Sequence, residues 1–164
     1  LDEFYSEEDT HRAIRTHLEG IVSILPWIAT IDAFQHWVYT NPEHSRDERH
    51  SKWLELGERY GSILDWAGFE NWRKVGWQKQ LHLFSYPFYY IEYGIAQLGA
   101  LQMWLQYRKN PEMALANYAT AMRLGGSRPL PNLFEAGGMS FDLGRSTVQG
   151  LIDAVRDELS TLPA

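Results

Sequence analysis

Two groups of residues have the types and spacing to do chemistry, and the first is the histidines. The chain has six: His11, His17, His36, His44, His50 and His82. A helical zinc site of the H-E-x-x-H kind needs two imidazoles one turn apart with a base between them. No histidine here is followed by Glu, and no pair is spaced i, i+4. His11 and His17 are six apart, which points them to different sides of a helix. His44 and His50 share that spacing in a charged segment and read as a solvated face. No metal site is therefore expected within the chain. The second group is His82-Leu-Phe-Ser-Tyr-Pro-Phe-Tyr-Tyr-Ile-Glu-Tyr93. Tyr86, Tyr90 and Tyr93 step by four and three, so a helix begun near Pro87 would put them on one side, just after His82. Imidazole and phenol groups donate hydrogen bonds without carrying charge, which suits a developing oxyanion. The competing reading is a packed aromatic stripe with ordinary hydroxyl partners. The two readings differ visibly. A functional Tyr93 points its hydroxyl into a cleft near His82 and Tyr90, whereas a core Tyr93 is enclosed and bonded to backbone.

The elements that position these residues read as helices. Ile14, Leu18, Ile21, Leu25 and Ile28 form a helical stripe, with Ser6 and Asp9 as a capping start and Asn41-Pro42 as a stop. Pro26 lies inside it and predicts a kink or break. Ser45-Arg-Asp-Glu48 is a capping box opening a helix that ends near Gly61. The stretch from Gly61 to Gly76 predicts short helix and loop. A helix of about five turns follows Pro87 and ends at Arg108-Lys109. Asn110-Pro111-Glu112 caps the next, closed by Gly125-Gly126. A short helix fits Pro129 to Gly138, and the last presents Val148, Leu151, Ile152, Val155 and Leu159. The expected class is all-α, an irregular multi-helix arrangement forming a single helical domain over residues 1–164. Trp53, Leu56, Gly57 and Tyr60 match the opening of a tetratricopeptide repeat, but the frame continues with Phe69, Arg73 and Gly76. The segment does not recur, so these residues read as one helix face.

Composition narrows the class of function. The 164 residues are 45% hydrophobic and 22% charged, the balance of a globular chain. A net charge of −6 and the lack of long basic blocks argue against nucleic acid. The longest apolar stretches, such as Gly20 to Ile31, fall short of the ~20 residues of a membrane span, so none is expected. The first residues lack the basic start and apolar run of a signal peptide. The absence of cysteine removes disulfides and thiolate ligands and suits a reducing cytoplasm, the expected compartment. Aromatic residues, at 14%, suggest large contact surfaces.

Over most of its length the chain also resembles the C-terminal catalytic region of the oligoendopeptidase F family, zinc metallopeptidases related to thimet oligopeptidase. The residues that carry the resemblance are Ile31-Asp-Ala-Phe-Gln-His-Trp-Val-Tyr39 and His82 through Ala100. They continue in Asn110-Pro111, Leu124-Gly-Gly-Ser127 and Leu133-Phe-Glu-Ala-Gly-Gly138. The resemblance implies an all-α peptidase acting on short peptides. Its zinc is held by the two histidines of H-E-x-x-H and a later glutamate, and the motif's own glutamate activates water. Neither the motif nor the third ligand is in this sequence, so the resemblance places the zinc in an upstream part of the parent. It also implies that His82, Tyr86, Tyr90 and Tyr93 bind substrate and steady the tetrahedral intermediate. By family spacing, Tyr93 polarises the carbonyl, with His82 next, and Tyr86 and Tyr90 hold substrate. The chain alone is expected to be inactive. Its expected partners are short peptides, the upstream half of the parent, and copies of itself through exposed apolar surface, with no nucleic acid or membrane. The alternative is a non-catalytic helical module that binds peptides or serves as a scaffold.

Overall fold

A computed structural model describes residues 3–61 and 64–163. The described residues form helices and connecting turns, with no strand, which is the all-α class expected. In chain order the helices are α1 (Glu7–Thr40), α2 (Arg46–Tyr60), α3 (Glu70–Val75), α4 (His82–Ser85), α5 (Ile91–Lys109), α6 (Pro111–Leu124), α7 (Leu130–Ala136) and α8 (Arg145–Thr161). A 3-10 turn, Gly76–Lys79, joins α3 to α4. The chain makes two compact units. One is Gly20–Gly94; the other takes in the chain up to Glu19 and from Ile95 onward.

The Gly20–Gly94 unit is built on the second half of α1. Ile31 and Phe34 are buried with Trp53 and Leu56 of α2 and with Trp77 of the 3-10 turn. The rings meet edge to face, Phe34 and Trp53 with centroids 5.2 Å apart. Trp53 keeps its indole N–H satisfied by donating to the Arg73 carbonyl at 3.0 Å. The face formed by Trp53, Leu56 and Tyr60 is thus core, as the sequence indicates. α2 opens with the expected capping box: Ser45 Oγ accepts from Glu48 N–H, and the Glu48 carboxylate accepts from Ser45 N–H at 2.8 Å. The Ser45 N–H and the Ser45 hydroxyl both donate to the Glu48 carboxylate and hold it below its usual range.

Three expectations are corrected in this unit. Of the kink or break expected at Pro26, the break does not occur: α1 runs through the proline. A proline inside a helix costs about 3 kcal/mol. Burial of Ile28, Ile31 and Phe34 just beyond it contributes about 1.5–3 kcal/mol per side chain, which offsets that cost. Because the helix is continuous, α1 also has an 18-residue window of mean hydropathy 1.2, long and apolar enough to cross a membrane by length and composition. Its core side chains Ile31 and Phe34 are instead packed within the unit. His50 is the third correction. It is 6% exposed, not on a solvated face, and neither ring nitrogen has a hydrogen-bond partner. The i, i+3 step from Trp53 carries it onto the buried side of α2, beside Trp77.

The other unit contains most of α5 together with α6, α7 and α8. Leu98, Leu101, Ala114, Ala121, Leu151 and Val155 are buried. Arg15 closes the end of α8, donating to the carbonyls of Leu159, Leu162 and Pro163. A guanidinium is well placed there, where a helix leaves carbonyls unpaired and its dipole is negative. Asn110 caps α6 through Met113 N–H, and Gly125 ends it at φ +52°, a conformation that glycine adopts without strain.

Candidate functional site

The tyrosine cluster forms, though not by the helix the spacing predicts. α5 begins at Ile91, not near Pro87, so Tyr86 and Tyr90 lie outside it. Proline disfavours helical geometry at the residue before it. Tyr86 accordingly has φ −139°, ψ 72° and ends the short α4. A tight turn follows, with Tyr89 N–H donating to the Tyr86 carbonyl at 3.2 Å. Phe88 sits in it at φ +58°, a strained position for a bulky side chain. Two features hold it there. Its N–H donates to Oε1 of the buried Gln35 at 2.9 Å, and its ring packs against His36 and Tyr39 of α1.

The turn wraps four tyrosines around one imidazole. Ring centroids lie 4.9 Å from His82 for Tyr90, 5.8 Å for Tyr93, 6.0 Å for Tyr86 and 6.1 Å for Tyr89. The residues singled out from the sequence, His82, Tyr86, Tyr90 and Tyr93, therefore come together, and Tyr89 joins them. Tyr89 is off the four-and-three stripe, so helical periodicity hides it. Only the Tyr-Pro step, which forces a turn, could have signalled its place.

Each hydroxyl has a distinct setting. Tyr93 is 42% exposed, and its hydroxyl lies 3.3 Å from Nε2 of His82. Tyr90 is half-buried against the core, and its oxygen accepts from the Trp27 indole at 3.1 Å. Tyr86 and Tyr89 are exposed. On its other edge, His82 has the Gln80 side-chain nitrogen 3.0 Å from Nδ1. The Tyr93 hydroxyl thus faces His82 and solvent, not a backbone carbonyl in an enclosed core. Such an arrangement can bind a carbonyl oxygen through neutral O–H donors while the rings cover apolar substrate surface.

No protein-family model and no curated protein matches the sequence. Solved structures do. PZ peptidase A, solved with an inhibitor, is 32% identical over 90% of this chain at a TM-score of 0.84. An oligoendopeptidase F is 30% identical over 94% of the chain at 0.82. A further oligoendopeptidase F, from Bacillus anthracis str. Ames, is 28% identical over 96% at 0.74. The chain matches a fragment of the oligoendopeptidase F and PZ peptidase family. It spans about a quarter of those relatives: 26%, 28% and 25% of their chains. A relationship to peptidases follows, and the helical architecture agrees with it.

Among the described residues, no group of three or more His, Asp or Glu side chains is placed to hold a metal ion.

Proposed function

We propose that this chain is part of a zinc-dependent oligoendopeptidase that hydrolyses short peptides in the cytoplasm. In this reading it supplies the side chains that bind substrate and stabilise the oxyanion, and by itself it is inactive. The supporting observation is the Tyr93 hydroxyl, open to solvent and paired with His82, amid three further tyrosines. When bound, zinc would supply the parent's Lewis acidity, held by residues outside this chain.

The roles follow from hydrogen-bond capacity. A peptide carbonyl gains negative charge on its oxygen as it is attacked. A phenol aimed at that oxygen therefore bonds more strongly in the transition state than in the bound substrate, which raises kcat. Tyr93 takes this role, with His82 holding its oxygen. Tyr90, whose oxygen already accepts from Trp27, keeps its own proton to donate to a substrate carbonyl. Tyr86 offers an exposed ring and hydroxyl.

The test is an assay with short fluorogenic peptides. The complete parent should cleave them in a chelator-sensitive manner, and the purified chain should not. Cleavage by the chain alone would show a catalytic site of its own. A parent that binds peptides without cleaving them would establish a binding module instead.

A further inference from the structure

We infer that Gln80 is a positioning residue that selects the tautomer of His82 and so frees the Tyr93 proton for substrate. The inference rests on the peptidase reading for its consequence, but its first step is geometric. The Gln80 side-chain nitrogen lies 3.0 Å from His82 Nδ1. An amide NH2 can only donate, so Nδ1 must accept and carry no proton. Neutral His82 then bears its hydrogen on Nε2, the nitrogen 3.3 Å from the Tyr93 hydroxyl. The imidazole donates to Tyr93, and the Tyr93 oxygen accepts. The hydroxyl hydrogen is left over, directed away from His82 on an exposed side chain.

The opposite tautomer would undo this. With the proton on Nδ1, Nε2 becomes an acceptor and takes the Tyr93 hydrogen for itself. The phenol would then have to break that bond before polarising a carbonyl. One amide two residues before His82 decides between a spent donor and a ready one.

The backbone is built to keep Gln80 in place. Its own N–H donates to the carbonyl of Trp77, which is buried in the core. Its carbonyl accepts from Leu83 N–H at 3.1 Å, which ties it to α4 and hence to His82. The side chain therefore leaves a pinned turn at both of its peptide bonds.

Two substitutions of opposite polarity test the assignment. Gln80→Leu removes the donor, whereas Gln80→Glu keeps the length and replaces the donor with an acceptor that favours Nδ1–H. Long-range nitrogen–proton NMR of the chain reads the His82 tautomer directly. Wild type should show the proton on Nε2, and Gln80→Glu should move it to Nδ1. In the complete parent, kcat should fall about 5- to 10-fold for Gln80→Leu, the size of one net hydrogen bond. It should fall further for Gln80→Glu, with KM little changed in both. A purely structural Gln80 predicts the reverse order, with the polar Glu rescuing what Leu loses. Finding Nδ1 protonated in wild-type His82, or wild-type kcat in Gln80→Glu, overturns the inference. The peptidase reading fails on a separate measurement, a parent that binds short peptides without cleaving them, which leaves the NMR result standing; an unchanged kcat in Tyr93→Phe removes the oxyanion role of Tyr93 alone.

Discussion

The Tyr93 hydroxyl lies 3.3 Å from Nε2 of His82, although eleven residues and a proline turn separate them in the chain. The pairing makes Tyr93→Phe a clean substitution, because it removes one oxygen and keeps a ring that is already 42% exposed. In the complete peptidase, kcat should drop about 10²- to 10³-fold, as for loss of one oxyanion donor, while KM changes much less. Thermal stability should be nearly unchanged. A stability loss with kcat near wild type would assign Tyr93 to packing.

Gln35 bears on the same cluster through the turn at Phe88. It is buried at 2% exposure, and its Oε1 holds the N–H of Phe88 at the strained point of the turn. Gln35→Leu should strand that N–H and cost about 1–3 kcal/mol in stability. The strain at Phe88, about 1–3 kcal/mol, then has less to hold it, and Tyr89 and Tyr90 should leave His82. Urea unfolding checks the first effect, and loss of ring-current shifts on the His82 protons checks the second. Unaltered His82 shifts would show that the aromatic packing of Phe88 suffices.

Much of this was legible in the sequence where one local rule acted alone. Ser45 with Glu48, Asn110 with Pro111, and the stripe through Leu151 and Val155 all gave elements that the structure contains. The cluster was legible by membership but not by geometry. His82, Tyr86, Tyr90 and Tyr93 do gather, yet the helix thought to gather them starts later, because Pro87 disfavours helical backbone at Tyr86. Tyr89 and Gln80 could not be found by periodicity, since turns place them. The continuity of α1 through Pro26 and the burial of His50 escaped the sequence for a common reason. Tertiary burial decided both, and nothing in the local sequence reports it.

Apolar side chains remain open on α6, where Leu115, Tyr118 and Met122 follow a three-and-four step and are each at least half exposed. A face of this kind favours association. The purified chain should therefore self-associate in a concentration-dependent way, seen by light scattering after size exclusion. The double substitution Leu115→Glu, Met122→Glu should shift it toward monomer. A wild-type chain that stays monomeric at high concentration would remove α6 as a contact surface.

The last expectation concerns acid and rests on His50. Burial, followed by the nearby Lys74, pushes its pKa below the ordinary value; Asp47 opposes the shift, and Arg46 and Arg49 add to it. The unfolded chain therefore binds a proton at His50 more readily than the folded one does. Under linkage, stability rises with pH wherever the unfolded state holds more protons. His50 thus contributes stability that is complete above about pH 6.5, the unfolded value, and is lost as pH falls through the folded one. The lowered carboxyls of Glu48, Glu70 and Asp142 act by the same sign in a lower window, beneath the ordinary carboxylate value. Urea midpoints measured from pH 7.5 down to 5 should therefore decline, above the window in which Glu48, Glu70 and Asp142 act. His50→Phe keeps an aromatic ring beside Trp77 and removes two buried nitrogens that have no partner. The variant should match or exceed wild type at pH 7.5, by about 1 kcal/mol, because an unsatisfied buried donor is lost. It should also flatten the decline between pH 7 and 5. If the full slope persists in His50→Phe, the proton is taken up elsewhere and His50 is not its site.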